Sequence, residues 1–104
     1  ALVAGPIIHF HKEEFIMRRE IHEAYKNYVR VEFLRTRDKE ELSQGKMAAI
    51  LEMSYEAYNA IETGKSCCSS DTLWLYIVQF RSDDKEVFMD GLYKALAKVK
   101  EKSA

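Results

Sequence analysis

From residue 7 to residue 44 the sequence contains no glycine and no proline, and only one proline and four glycines occur in all 104 residues. Those two residue types supply the tight turns that a many-stranded sandwich needs, so the chain predicts long uninterrupted helices instead. Within the unbroken stretch Ile21, Tyr25, Tyr28 with Val29, and Phe33 recur at three- and four-residue spacing, a helical stripe. One long helix over about 12–37, or two with a short break, is expected. The charged run Arg35-Thr36-Arg37-Asp38-Lys39-Glu40-Glu41 reads as a solvated connection that closes it.

Shorter elements follow. Ser43 is a good N-cap for a helix reaching Leu51, with Met47, Ala48 and Leu51 on one face. Ser54 caps another from Tyr55 to Glu62, and Gly64 stands where a left-handed C-cap belongs. After Lys65-Ser66-Cys67-Cys68-Ser69, Ser70 is the expected cap of Leu73-Trp74-Leu75-Tyr76-Ile77-Val78. Alone, those six apolar residues fit a buried strand; inside a helical pattern they read as a core helix. A last amphipathic helix, over about 83–101, starts at Ser82 or Asp83, with Asp83 and Glu86 as a capping-box-like pair. Its apolar stripe is Phe88, Leu92, Ala95, Leu96 and Val99. Residues 1–10 are expected to form a flexible N-terminal segment and 11–104 a single all-α domain, with no repeat and no linker.

Composition narrows the function classes. At 47% apolar and 32% charged the chain is not disordered. No apolar run approaches the ~18–20 residues of a membrane span. Sixteen basic against 17 acidic side chains give a net charge of −1, without the basic excess of a protein living on nucleic acid. The adjacent Cys67 and Cys68 make no disulfide framework, which points to a reducing, cytoplasmic setting. The opening Ala1-Leu2-Val3-Ala4-Gly5-Pro6 lacks the charged region of a signal peptide, and the missing initiator Met suggests a trimmed end. His9, His11, His22 and the two cysteines lack the spacing of a zinc module, so no metal or cofactor is expected. The carboxylate pairs Glu13-Glu14, Glu40-Glu41 and Asp83-Asp84 sit in charged runs, and nothing in the sequence indicates a histidine or an electropositive pocket beside either cysteine. An enzyme is not expected.

Two short helices joined by a brief turn make a helix-turn-helix, whose second helix fits the major groove of DNA. Read through, Leu42-Ser43-Gln44-Gly45-Lys46-Met47-Ala48-Ala49-Ile50-Leu51-Glu52-Met53-Ser54 precedes Tyr55-Glu56-Ala57-Tyr58-Asn59-Ala60-Ile61-Glu62-Thr63-Gly64-Lys65. Residues 29–80 thereby resemble the Cro/repressor-type, or XRE-like, helix-turn-helix family. Leu42, Ser43, Gln44, Ala48, Leu51, Ser54, Ile61, Glu62, Gly64 and Lys65 match its pattern identically, and Met47, Met53 and Tyr58 match in kind. The resemblance implies an all-α, lambda-repressor-like domain of about five helices, with added N- and C-terminal helices.

It also implies roles. Tyr55, Glu56, Asn59 and Ala60 stand at positions that usually read bases; Asn59 suits an adenine edge and Glu56 a cytosine amino group. Gln44, Lys46, Lys65, Arg35 and Arg37 are the candidates for phosphate contacts, Gln44 at a helix N-terminus that favours anions. Glu62 is expected to pair with an arginine of the first helix, either Arg35 or Arg37. Departures from the pattern are as informative. Glu52 stands where the family prefers glycine, which costs on the order of 1 kcal/mol if the backbone there is left-handed. Gly45 lies inside a helix, Tyr58 replaces a smaller aliphatic residue, and Ser69 replaces a proline. The reading helix has two glutamates and no lysine or arginine, so a monomer should bind DNA weakly.

The expected function is sequence-specific recognition of double-stranded DNA by a transcriptional regulator. The aromatic residues Phe10, Phe15, Tyr25, Tyr28, Trp74 and Tyr76 offer more apolar surface than a small core requires. A homodimer is therefore expected, with the C-terminal helix slightly favoured as its contact. Two alternatives stand beside this reading. One is a protein-interaction module that binds another protein, antitoxin-like or a co-regulator. The other is a regulator sensing redox state or a ligand through Cys67 and Cys68.

Overall fold

The computed structural model describes the backbone of residues 4–103 and the side chains of residues 16–102. Five α-helices follow one another: α1 (Ala4–Lys39), α2 (Gln44–Ile50), α3 (Tyr55–Glu62), α4 (Ser70–Phe80) and α5 (Lys85–Ser103). A 3-10 turn, Ser82–Asp84, joins the last two, and no strand occurs among the described residues. None of these helices is long and apolar enough to cross a membrane.

The breaker-free stretch becomes one helix of 36 residues without a break. It runs through residues 4–10, read from sequence as a separate N-terminal segment; residues 1–3 lie outside the described residues. It also runs through most of the charged segment expected to be a solvated connection, and stops only at Lys39. Thr36 inside that segment is buried, its hydroxyl 2.7 Å from that of Tyr76. Charge in the sequence therefore marked a helix with one wet face, not a loop.

Serine caps start the next three helices. Ser43 accepts from the Lys46 amide and Ser54 from the Ala57 amide, each bond satisfying an otherwise unpaired N–H of a first helical turn. For α4 the cap is Ser69, one residue before the Ser70 expected, because the Ser69 hydroxyl receives the Thr72 amide. The six apolar residues Leu73–Val78 lie inside α4, so the strand alternative is set aside. At α5 the capping-box pair of Asp83 and Glu86 does not form: Asp83 is in the 3-10 turn and the helix begins at Lys85. Asp84, the last residue of that turn, is held by Arg81.

All five helices share one core. Val29 and Phe33 of α1 meet Met47 and Ala48 of α2, Tyr58 and Ile61 of α3, Leu73, Tyr76 and Ile77 of α4, and Phe88 and Leu92 of α5. The Tyr76 ring lies at its centre, 4.7 Å from Phe33 and 5.5 Å from Phe88, spacing at which aromatic pairs attract. Tyr25 and Tyr28 pack against this core and donate to the carbonyls of Cys68 and Phe88. Three of the aromatic residues offered as surplus surface, Tyr25, Tyr28 and Tyr76, are thus spent inside the domain. Trp74 remains 56% exposed, and the side chains of Phe10 and Phe15, like those of His9 and His11, lie outside the described residues.

Candidate nucleic-acid interface

The corner between α2 and α3 is built by a C-terminal hydrogen-bond pattern. The Met53 amide donates to the Ala48 carbonyl and the Glu52 amide to the Ala49 carbonyl, which forces Glu52 into the left-handed region at φ 55°. Leu51 ends α2 as its C-cap, and Ser54 starts α3. Ala48 is almost fully buried at this crossing, where a larger side chain would hold the helices apart. The same pattern ends α3, with Gly64 at φ 80°, and ends α1, with Glu41 at φ 55°.

A polar cluster ties this corner to α1. Of the two arginines, Arg37 is the one that faces Glu62: Nε lies 2.6 Å from Oε2 and Nη2 3.2 Å from Oε1, a forked pair. A third donor of the same guanidinium, Nη1, reaches the Leu42 carbonyl at 3.1 Å. Glu62 is only 6% exposed and also accepts from the Tyr58 hydroxyl and, at 2.7 Å, from the Gln44 amide. Burial opposes its charge, but the bonds from Arg37, Tyr58 and Gln44 outweigh that and hold the carboxyl below its usual pKa. The Glu62 hydrogen bond in turn raises the pKa of Arg37. Burial, then the bond to Glu62, drives the Tyr58 hydroxyl upward, so it stays protonated and donates. Tyr58, read as a departure from a smaller aliphatic residue, fits because its hydroxyl has this carboxylate to reach.

Gln44 carries the cluster to the surface. Its Oε1 accepts from the Tyr55 hydroxyl at 2.9 Å and from Asn59 Nδ2 at 3.3 Å. Tyr55 and Asn59 are therefore brought together on one side of α3 and joined to α2. Glu56 is exposed one residue along, and Ala60 is half-buried, its carbonyl taken by the amides of Lys65 and Ser66.

The phosphate candidates are treated unequally. Lys46 and Lys65 are exposed at the ends of the α2–α3 unit, and neither belongs to an ion pair among those found in the described residues. Arg37 is committed to Glu62 and Leu42. Arg35 faces elsewhere, with Nη1 3.7 Å from Glu32, on the side of α1 that meets α4 and the 3-10 turn.

That side holds a second cluster which sequence reasoning missed. Arg81 Nη1 lies 2.5 Å from Glu32 Oε1, while its Nε and Nη2 grip both oxygens of Asp84 at 2.8 and 3.0 Å. Its guanidinium also sits 5.2 Å above the Phe88 ring. A cleft of about 500 Å³ opens beside it, rimmed by Arg35, Lys39 and Glu40. Glu32 and Arg81 are 49 positions apart and belong to no motif, so only a recognised amphipathic mismatch, a glutamate on the buried side of α1, could have flagged them.

The cysteines offer little reactivity. Burial pushes the Cys68 thiol up to about 12 and the Cys67 thiol upward as well, which depletes the thiolate that oxidation needs. Compared with protein-family models, with curated proteins and with solved structures, the chain finds no match.

Proposed function

We propose that the protein is a cytoplasmic transcriptional regulator that binds double-stranded DNA as a homodimer, laying α3 in the major groove. The observation that carries this reading is the Gln44 bridge. It fixes Tyr55 and Asn59 side by side on α3, in a helix-turn-helix whose sequence resembles the Cro/repressor type over residues 29–80. A groove reader needs two or three side chains with settled orientation on a rigid helix, and the Arg37–Glu62–Gln44 chain supplies that rigidity. Lys46 and Lys65 would flank the groove and meet phosphates. Dimerisation is supported by exposed apolar residues on the C-terminal half, Tyr93 at 70% and Val87 at 65% on α5.

The test is selection from random-sequence duplexes at about 50 and about 200 mM salt, because phosphate contacts lose affinity steeply over that range. A palindromic motif recovered at both salts is the expected result. Recovery at low salt without a motif would reduce the activity to electrostatic association.

A second reading, a protein-interaction module, is favoured by a specific observation. Arg37 is held by the buried Glu62 and Arg35 lies on another side of α1, leaving Lys46 and Lys65 as the basic candidates beside α3, next to an exposed Glu56. Absence of recovery at either salt would favour that reading.

A further inference from the structure

Gln44 has an amide with two different ends, and its surroundings allow only one orientation. The Glu62 carboxylate accepts hydrogen bonds and cannot donate while ionised, so the Gln44 nitrogen must face it. The Gln44 oxygen is then turned toward α3, where it can only accept. It takes the proton of the Tyr55 hydroxyl and one N–H of Asn59. The polarity therefore runs one way, from a buried carboxylate through Gln44 to the two outermost polar side chains. What those side chains have left is mostly acceptor: the lone pairs of the Tyr55 oxygen, and for Asn59 its Oδ1 with a single N–H. The exposed Glu56 carboxylate beside them adds two acceptor oxygens.

Resting on the DNA-binding reading, we propose that Gln44 is the specificity-setting residue of this face and that it commits Asn59 to an adenine. One acceptor and one donor, side by side, complement the N6 amino group and N7 of adenine. Guanine offers two acceptors, O6 and N7, to a side chain that retains one N–H. No lysine or arginine projects from α3 to serve guanine instead. Glu62 thus determines a base preference that it never contacts, through one intervening amide.

The experiment compares motifs selected by the full chain, by Asn59→Ala and by Gln44→Ala from random-sequence duplexes. The full chain should enrich an A·T pair at one position of each half-site, and Asn59→Ala should relax that position alone. Gln44→Ala should relax the same position, with a loss of preference there that exceeds its loss of affinity for unrelated DNA; a purely structural role would weaken all sequences equally and relax no single position. A measurement on the unaltered protein stands independently of any folding defect. Replacing the selected adenine by purine, which lacks the 6-amino group, should weaken binding about tenfold for the full chain and not at all for Asn59→Ala.

A G·C pair at the position that depends on Asn59, or tolerance of purine there, would overturn the inference while leaving DNA binding intact. So would adenine preference retained in a folded Gln44→Ala, or an Asn59→Ala that relaxes no position. Failure to obtain any motif with the full chain would overturn the DNA-binding reading and this inference together.

Discussion

The domain carries two polar clusters on different sides of α1, built from similar parts and ending differently. In one, Arg37 of α1 grips the buried Glu62, and Tyr58 and Gln44 complete the carboxylate's shell. In the other, Glu32 of α1 receives Arg81, and Asp84 completes the guanidinium's shell. The first is centred on a carboxylate and passes hydrogen bonds outward to Tyr55 and Asn59. The second is centred on an arginine whose donors are consumed where they are, between α1, α4 and the 3-10 turn. A hub that only accepts fixes the orientation of every donor around it, and one of those donors, Gln44, has an opposite end to present. A hub that only donates, surrounded by carboxylates, passes its order inward alone, where Glu32 also accepts from the buried Tyr76 hydroxyl. The same chemistry thus fastens helices twice, and only once does it reach a surface with a defined polarity.

The largest effect should come from Glu62→Ala. It strands the Arg37 guanidinium, which is about a quarter exposed on its side chain (27%), and frees Tyr58 and Gln44. Removing one member of a fully buried pair costs ~3–5 kcal/mol, and the partial exposure of Arg37 lowers the expectation to about 2–3 kcal/mol in denaturant unfolding. Arg81→Ala should cost less, about 1–2 kcal/mol, because Arg35 remains near Glu32 and Asp84 lies in solvent. The contrast sharpens in DNA selection: Glu62→Ala should erase base preference, whereas Arg81→Ala should keep the wild-type motif. If both variants kept the motif, the outward cluster would be no more than a fastening.

How legible these clusters were depends on how far apart in sequence their members lie and on whether a pattern links them. The Glu62 partnership was readable because the run from Leu42 to Lys65 resembles a motif with a fixed place for it, although Arg35 and Arg37 stayed indistinguishable. They differ by two positions on α1, about 200° of rotation, and only the seating of the helix against α3 decides between them. Glu32 and Arg81 had no pattern to announce them, since tertiary packing alone brings them together. Helix starts at Ser43 and Ser54 were readable from local cap chemistry. The end of α1 was not, because the charged run after Leu34 looks like a loop until Thr36 is seen to be buried and bonded to the Tyr76 hydroxyl.

Acid should separate the two clusters next. Hydrogen bonds hold the Glu62 carboxyl below its ordinary pKa in the folded state, so folding excludes a proton that the unfolded chain binds. The stability contributed is fully present above the unfolded value, about 4.3, and is lost as pH falls through the lower folded value. Glu62→Gln should therefore flatten the acid limb of a plot of unfolding free energy against pH. Asp84 is also lowered, by its bond to Arg81, but it is open to solvent, and Asp84→Asn should change that limb far less. Equal flattening by both variants would mean that burial does not distinguish the clusters.

The smallest effect concerns the backbone around the outward cluster. Three successive helices, α1, α2 and α3, end in the same left-handed closure, and only the third has a glycine there; Glu41 and Glu52 occupy the other two at φ 55°. An L-residue with a β-carbon in that region carries a steric cost that glycine escapes, partly offset by the greater chain entropy glycine loses on folding. Glu52→Gly should therefore stabilise the domain by about 0.5–1 kcal/mol, read as a shift in denaturant midpoint at unchanged slope. Because Glu52 sits in the corner that sets α3 against α2, the variant also separates strain from function. Unchanged DNA selection with higher stability would make the left-handed glutamate a tolerated cost. A sharper or blunter motif would show that the tension in this turn helps aim Tyr55 and Asn59, linking the backbone of the corner to the polarity that the Glu62 cluster sends through it.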